Sequence, residues 1–204
     1  SYRLIACLGR GGMGEVWKAE HRLLAREAAI KLIRPDGDAA IADEMNSRFR
    51  REAEAIASLR SRNTIELFDY GVAEDGTFYY VMELLDGMDL ESLGADYGPQ
   101  PAARAILLLV GACNSLAEAH DAGLIHRDIK PANLFTCRAA DEVDVIKVLD
   151  FGLVRAATAT ATAVTLDSAA DLLGKMDAAG KLTRAGGVVG TPPDIAPGQA
   201  LGQA

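Results

Sequence analysis

The residues between His126 and Asn133 include three side chains whose types and spacing suit phosphoryl transfer. Asp128 can accept the proton of an attacking hydroxyl group, and Lys130 can neutralise negative charge that develops on the moving phosphoryl group. Asn133 offers a carboxamide oxygen to a magnesium ion. A second candidate magnesium ligand, Asp150, follows 17 residues later, after an apolar run over 143–149. The sequence therefore predicts one site with a proton acceptor, a cation and two metal ligands.

A glycine-rich stretch over 8–16 is suited to lie against phosphates. Its glycines at 9, 11 and 14 let a backbone turn approach phosphates closely with its amides exposed. A dinucleotide-dependent oxidoreductase would need a helix to begin inside this motif, but residues 15–20 alternate as in a strand, so a β-hairpin is favoured. The other alternative is a glycine turn that binds no ligand, and Lys31, in the short apolar strand that follows, argues against it.

Further strands and helices are needed to position these side chains. Residues 43–60 have apolar side chains at helical spacing, and strands are predicted at 64–70 and 77–84. Residues 99–123 predict a long helix that is buried, because its polar surface is small. The residues expected in the core from this helix are Ile106, Leu107, Leu109, Val110, Cys113, Leu116 and Ala117.

Composition and charge exclude several classes of protein. A net charge of −8 over 204 residues argues against a nucleic-acid partner, which would need a basic surface. The three cysteines are far apart and predict neither a disulfide framework nor a zinc site, which fits a reduced, cytoplasmic compartment. The longest apolar stretch, around 105–110, is shorter than the ~18 to 20 residues that span a bilayer, and no signal peptide is visible. The absence of an initial methionine predicts that the chain was cut from a longer protein.

In order and spacing, the glycine loop, the strand lysine, the loop over 126–133 and the Asp150-Phe151-Gly152 triplet resemble the eukaryotic-like (Hanks-type) serine/threonine protein kinases of bacteria. The resemblance implies an α+β, two-lobe fold, with an antiparallel N-lobe sheet in 1–86 and an incomplete, mainly helical C-lobe in 87–204. It also implies ATP and Mg²⁺ as cofactors and protein substrates with Ser or Thr acceptors. Lys130 beside Asp128 points to these acceptors. The physiological substrate, the activating signal and the oligomeric state are not indicated.

The same resemblance assigns roles to individual residues. Lys31, Glu52, Asp128 and Lys130 form the implied catalytic set, in which Glu52 of the following helix pairs with Lys31. Glu54 and Glu44 are the alternative partners. Asn133 and Asp150 are the implied metal ligands. The implied ATP-binding residues are Leu8, Gly9, Gly11, Gly12, Gly14, Val16, Ala29, Lys31, Met82, Glu83, Leu85, Asp89 and Leu134.

Three of these roles are more detailed. Met82 is the expected gatekeeper, and the Glu83 carbonyl and Leu85 amide are expected to face the adenine edge. Asp89 is expected at the ribose, although capping of a helix explains it equally well. A second set, Ile56, Leu67, His126 and Phe151, is expected to stack inside the protein, which makes His126 a structural residue.

The segment after Gly152 resembles a long activation segment. Thr183 is the candidate regulatory phosphosite, with Arg127 as the receiver of its charge, and Thr158, Thr160, Thr162 and Thr165 compete with it. Residues 196–198 read Ala-Pro-Gly where the family has Ala-Pro-Glu. The alternative function is therefore a catalytically impaired, truncated kinase-like module that binds nucleotide or a partner protein. The intact parent could carry a membrane anchor outside this domain.

Overall fold

The computed structural model describes residues 2–11, 14–33 and 42–151, except for the side chains of residues 42–46, 48 and 52. In these ranges the elements are β1 (Tyr2–Gly11), β2 (Gly14–His21), β3 (Glu27–Ile33), α1 (Ala42–Ser58), β4 (Leu67–Val72), β5 (Phe78–Met82), β6 (Asp86–Asp89), α2 (Leu90–Tyr97), α3 (Ala102–Asp121), a 3₁₀ helix (Pro131–Asn133), β7 (Leu134–Ala139) and β8 (Glu142–Val148). The predictions for Gly12, Thr183 and the rest of 152–204, and for the side chains of Glu44 and Glu52, lie outside what the structure describes.

The first sheet contains five antiparallel strands in the order β1-β2-β3-β5-β4. Strand β3 is therefore central, and its residues alternate between the two faces of the sheet. Ala28 and Ile30 belong to a small cluster on one face, whereas Ile33 belongs to the main core on the other. Since Lys31 shares the face of Ile33, the alternation of β3 turns this lysine towards the interior.

Helix α1 packs on the first sheet through one apolar stripe. Phe49, Ala53 and Ile56 are buried, and their spacing places them on one side of the helix. The ring of Phe49 lies 4.8 Å from that of Phe78 on β5. Burial of such a phenylalanine stabilises a fold by about 2–3 kcal/mol, so this stripe attaches α1 firmly to the sheet.

The second sheet contains β6, β7 and β8 in that order, and helix α3 packs against β8. The approach is close at Gly111, where an added Cβ would lie 2.3 Å from Cγ2 of Ile146. Asn63, just before β4, donates through Nδ2 to the Ile146 carbonyl at 2.9 Å. Glycine at 111 thus allows α3 to support the strand that leads to Asp150.

The prediction that α3 is buried over most of its surface was wrong. The buried residues are Leu108, Ala112, Ser115 and Ala119, which form one narrow stripe. Of the residues expected in the core, Leu116 is partly buried, whereas the side chains of Ile106, Leu107, Leu109 and Val110 are more than half exposed, and Cys113 and Ala117 are also exposed. Apolar composition indicated a helix, but only packing on β8 decided which face is covered.

Helix α3 is also long and apolar enough to cross a membrane, if length and composition alone are considered. It is the one such helix found in the described ranges. The same test is passed by core helices of soluble proteins, so it is weak evidence for a membrane span.

Candidate active site

Lys31 and Asp150 form an ion pair inside the protein. Lys31 is only 5% exposed, and its Nζ donates to Oδ2 of Asp150 at 2.5 Å. The hydroxyl of Tyr80 donates to the other carboxylate oxygen, Oδ1, also at 2.5 Å. Both oxygens of the predicted metal ligand are therefore held by donors from the first sheet.

The ionisation of this cluster follows from these contacts. Burial alone would raise the pKa of Asp150, but the nearby Lys31 ammonium and the hydrogen bonds from Lys31 and Tyr80 lower the pKa below its ordinary value. Burial, and then the charge of Asp150, raise the pKa of Tyr80 well above its ordinary value. Asp150 is thus an anion at neutral pH, and Tyr80 stays a neutral donor.

The second cluster is the loop that carries Asp128. Lys130 Nζ lies 2.9 Å from Oδ2 of Asp128, and Asn133 Nδ2 donates to the same oxygen at 3.1 Å and to the Asp128 carbonyl at 2.8 Å. Oδ1 of Asp128 receives no hydrogen bond from the described residues. One carboxylate oxygen is therefore fixed, and the other is available to accept a proton.

His126 connects the two clusters as a structural residue, in agreement with its predicted role. Its Nδ1 accepts from the Asp128 amide at 3.3 Å, so Nε2 carries the hydrogen and donates to the Leu149 carbonyl at 2.7 Å. Burial lowers the pKa of His126 below its ordinary value, which keeps the ring neutral. The ring lies 4.8 Å from that of Phe151. Phe151 and Ile56 belong to the main core, and Leu67 packs against it.

Two residues of the site have left-handed backbone conformations. Arg127 has φ of 63° and Asp150 has φ of 56°, in a region that non-glycine residues seldom adopt. A backbone hydrogen bond also connects the two clusters, because the Leu149 amide donates to the Asn133 carbonyl at 2.9 Å. The conformation of Asp150 is thus maintained by the hydrogen bonds to its carboxylate and by the backbone bond of the preceding Leu149.

The donor set fits a magnesium ion. Asn133 is 7% exposed, and because its Nδ2 is used by Asp128, its Oδ1 remains as an acceptor without a donor among the described residues. Each carboxylate oxygen of Asp150 accepts one hydrogen bond and keeps a further lone pair. Hard oxygen ligands of this kind are those that Mg²⁺ prefers.

The residues expected at the adenine edge lie in the segment 82–85, here called the hinge, which connects β5 of the first sheet to β6 of the second. Met82 pairs with Ala29 across β3 and β5 and packs against the core that contains Leu134. Neither the Glu83 carbonyl nor the Leu85 amide has a backbone hydrogen-bond partner in the described part of the chain. The contact of these two groups with the edge of a base stays a prediction.

The side chain of Glu83 has a role that the sequence did not indicate. Its Oε1 accepts from Lys147 Nζ at 2.6 Å and from the Glu66 amide at 2.9 Å. Lys147 of β8 therefore forms an ion pair with Glu83 in the hinge. Neither Lys147 nor Tyr80 was predicted as a site residue. The available signal for Tyr80 was its period-two spacing from Met82, which places both side chains on one face of β5.

On either side of the glycine loop, β1 and β2 pair as antiparallel strands. Gly9 pairs with Val16, and Gly11 pairs with Gly14. Gly14 has φ of 118°, and an added Cβ would lie 2.0 Å from the Leu32 carbonyl oxygen, so a side chain is not accommodated here. Leu8, which precedes the loop, is exposed.

Two other predicted residues have identified partners. Asp89 caps helix α2, with Oδ1 accepting from the Ser92 amide and Oδ2 from the Ser92 hydroxyl, both at 2.8 Å. This supports the capping explanation, and a contact with ribose stays a prediction. Glu54 is exposed and accepts from the Tyr70 hydroxyl at 3.3 Å. The pairing of Lys31 with Glu52 also stays a prediction.

Comparisons with known proteins agree with this geometry. The family described as "Protein kinase domain" matches residues 2–171. The chain is 36% identical to serine/threonine-protein kinase pkn3 of Myxococcus xanthus, in a match that covers 98% of this chain and 34% of the relative. It is also 36% identical to serine/threonine-protein kinase PknB of Mycolicibacterium smegmatis, in a match that covers 99% of this chain and 29% of the relative. The chain therefore spans about a third of the length of these relatives.

The fold is similar to that of the PknI kinase domain of Mycobacterium tuberculosis. The TM-score is 0.63 at 31% identity, and the match covers 74% of this chain and 58% of the solved chain. This likeness agrees with the predicted α+β fold. With the family match over most of its length, these findings establish that the chain belongs to the protein kinase family, among relatives that are bacterial serine/threonine protein kinases.

Proposed function

We propose that the chain contains the nucleotide-binding and catalytic residues of a serine/threonine protein kinase, which transfers the γ-phosphoryl group of MgATP to Ser or Thr hydroxyls of proteins. The observation that carries this proposal is the connection between the two clusters. The Lys31–Asp150 pair and the Asp128–Lys130–Asn133 loop are joined through Leu149, whose amide and carbonyl bind Asn133 and His126.

In this mechanism the residues of the loop handle the proton and the charge. Asp128 accepts the proton of the substrate hydroxyl at Oδ1, while Lys130 and Asn133 hold its Oδ2. Asn133 and Asp150 would hold the magnesium ion, which neutralises charge on the phosphates when bound. The ammonium of Lys31, held against Asp150, is suited to contact the phosphates.

The experiment measures transfer of labelled phosphate from ATP to a generic protein substrate rich in serine and threonine. Asp128→Asn should lower the rate roughly 10²- to 10⁴-fold, because the amide cannot accept the proton. The matched control is Asp96→Asn, since Asp96 is an exposed residue of α2 and has no partner at the site. An Asp128→Asn protein that phosphorylates as fast as the parent would exclude the proposed role.

A second candidate function is a module that binds nucleotide or a partner protein without turnover. It is favoured by the exposed apolar face of α3, formed by Ile106, Leu107, Leu109 and Val110. Exposed apolar surface of this kind is typical of a protein-binding site. Stabilisation by an ATP analogue without phosphate transfer by the parent chain would support the module over the enzyme.

The proposed partners are protein substrates and not nucleic acid, in keeping with the net charge of −8. The proposed location is the cytoplasm. It rests on the thiols of Cys7, Cys113 and Cys137, none of which is paired in a disulfide.

A further inference from the structure

Tyr80 has a polar hydroxyl group but belongs to the main core, whose other buried members are apolar. It lies in the middle of β5, between Tyr79 and Val81, and is 1% exposed. Burying a hydroxyl group without a partner is unfavourable, so a tyrosine at this position needs an acceptor. The acceptor is Oδ1 of Asp150, 70 residues away in the sequence.

Tyr80 and Lys31 are neighbours on adjacent strands of the first sheet. They are directly opposite each other in the register of β3 and β5. From this one cross-strand pair, Lys31 donates to Oδ2 of Asp150 and Tyr80 donates to Oδ1. The two donors therefore determine the orientation of the carboxylate, and not only its position.

We propose that Tyr80 is a positioning residue that orients the Asp150 carboxylate for the metal ion of the bound nucleotide. This inference rests on the proposed function, in which Asp150 is a metal ligand. The hydroxyl of Tyr80 occupies one acceptor site of Oδ1 and leaves the second one for a metal ion, since each carboxylate oxygen has two acceptor sites. Groups that hydrogen-bond a metal ligand in this way commonly strengthen metal binding.

The chemistry of Tyr80 suits this role. The phenol of a tyrosine is protonated at neutral pH, so the hydroxyl of Tyr80 is a hydrogen-bond donor there. A phenylalanine would fill the same space and keep the packing in the main core, to which Tyr80 belongs. It would leave Oδ1 without its donor, and the carboxylate would be held by Lys31 alone.

The experiment is a magnesium titration of the Tyr80→Phe protein at a fixed, saturating concentration of a non-hydrolysable ATP analogue. The readout is the thermal shift that depends on magnesium, so it does not require phosphate transfer. The Mg²⁺ concentration at half-maximal shift should rise about 10-fold, the lower limit for loss of such a partner. Tyr80→Met, which also lacks the hydroxyl, should shift it in the same direction.

The matched control is Tyr79→Phe, which removes the same atom from the neighbouring residue. Tyr79 packs against the cluster on the opposite face of the sheet, with its hydroxyl beside Gly71. Its half-maximal Mg²⁺ concentration should equal that of the parent. Asp150→Asn serves as the reference for loss of the ligand itself.

Equal titrations of Tyr80→Phe and Tyr79→Phe would overturn the inference, as would a parent chain whose nucleotide binding does not depend on magnesium. A lower melting temperature for Tyr80→Phe without a change in the half-maximal Mg²⁺ concentration would indicate a purely structural role and would also overturn it. If the parent shows the metal-dependent shift but transfers no phosphate, the proposed function fails while the role of Tyr80 is still tested by the titration.

Discussion

Replacing Lys31 by methionine is the most informative single change for the stability of this protein. Methionine keeps much of the length and apolar volume of the lysine stem but removes the ammonium group that lies 2.5 Å from Asp150. The variant therefore keeps a carboxylate that is largely enclosed, with Tyr80 as its remaining side-chain donor at this site. The change tests whether the ion pair stabilises the site.

The expected loss of unfolding free energy is about 3 kcal/mol near neutral pH. Removing one partner of a buried ion pair typically costs about 3–5 kcal/mol. The lower end applies because the side chain of Asp150 is still 23% exposed and Tyr80 continues to donate to it. The double variant Lys31→Met/Asp150→Asn should recover part of this loss, because the unpaired charge is then absent.

The loss should depend on pH. In the parent, the pKa of Asp150 lies below its unfolded value, so its contribution is present above that unfolded value and lost as the pH falls through the folded pKa. In Lys31→Met the main lowering effect is absent, and burial then raises the pKa of Asp150. The carboxyl group of the variant is therefore protonated at higher pH, and the difference from the parent should shrink on acidification.

The assay is urea unfolding followed by the fluorescence of Trp17, the single tryptophan of the chain. The matched control is Lys18→Met on the adjacent strand, where the Lys18–Glu27 pair is more exposed. The control should lose less than about 1 kcal/mol, as is usual for pairs that water screens. Equal losses for Lys31→Met and Lys18→Met at neutral pH would refute the reasoning.

Two further predictions concern packing. Gly14→Ala should lower the unfolding free energy by about 2 kcal/mol, because the backbone of Gly14 has positive φ and the new methyl group would meet the Leu32 carbonyl. Gly9→Ala should change the unfolding free energy little, because a Cβ added at Gly9 has no neighbouring atom within 4 Å. Similar losses in urea unfolding would contradict this. Leu108→Ala should lower the unfolding free energy by about 2–5 kcal/mol, because the side chain of Leu108 is buried. Leu109→Ala, one residue along α3, should lower it by less than about 1 kcal/mol, because Leu109 is exposed. The reverse order would show that the wrong face of α3 has been taken as buried.

Some features of the site could be predicted from short stretches of sequence because neighbouring residues are sufficient to produce them. The glycine hairpin depends on residues 9–16, and the alternation of β3 alone turns Lys31 inward. The loop over 126–133 brings Asp128, Lys130 and Asn133 within hydrogen-bonding distance because only a few residues separate them. The proximity of Asp128, Lys130 and Asn133 could therefore be predicted from their spacing in the sequence.

Other features could not be predicted because they depend on residues that are distant in sequence. Asp150 meets Lys31 across 119 positions and Tyr80 across 70, and Lys147 reaches Glu83 across 64. A tyrosine in an apolar strand has the same appearance in sequence whether its hydroxyl reaches solvent or a carboxylate. Short stretches of sequence are enough to identify the chemical groups and the local turns that present them. The partners of these groups and the covered face of α3 depend on which elements pack together, so they are seen only in the folded chain.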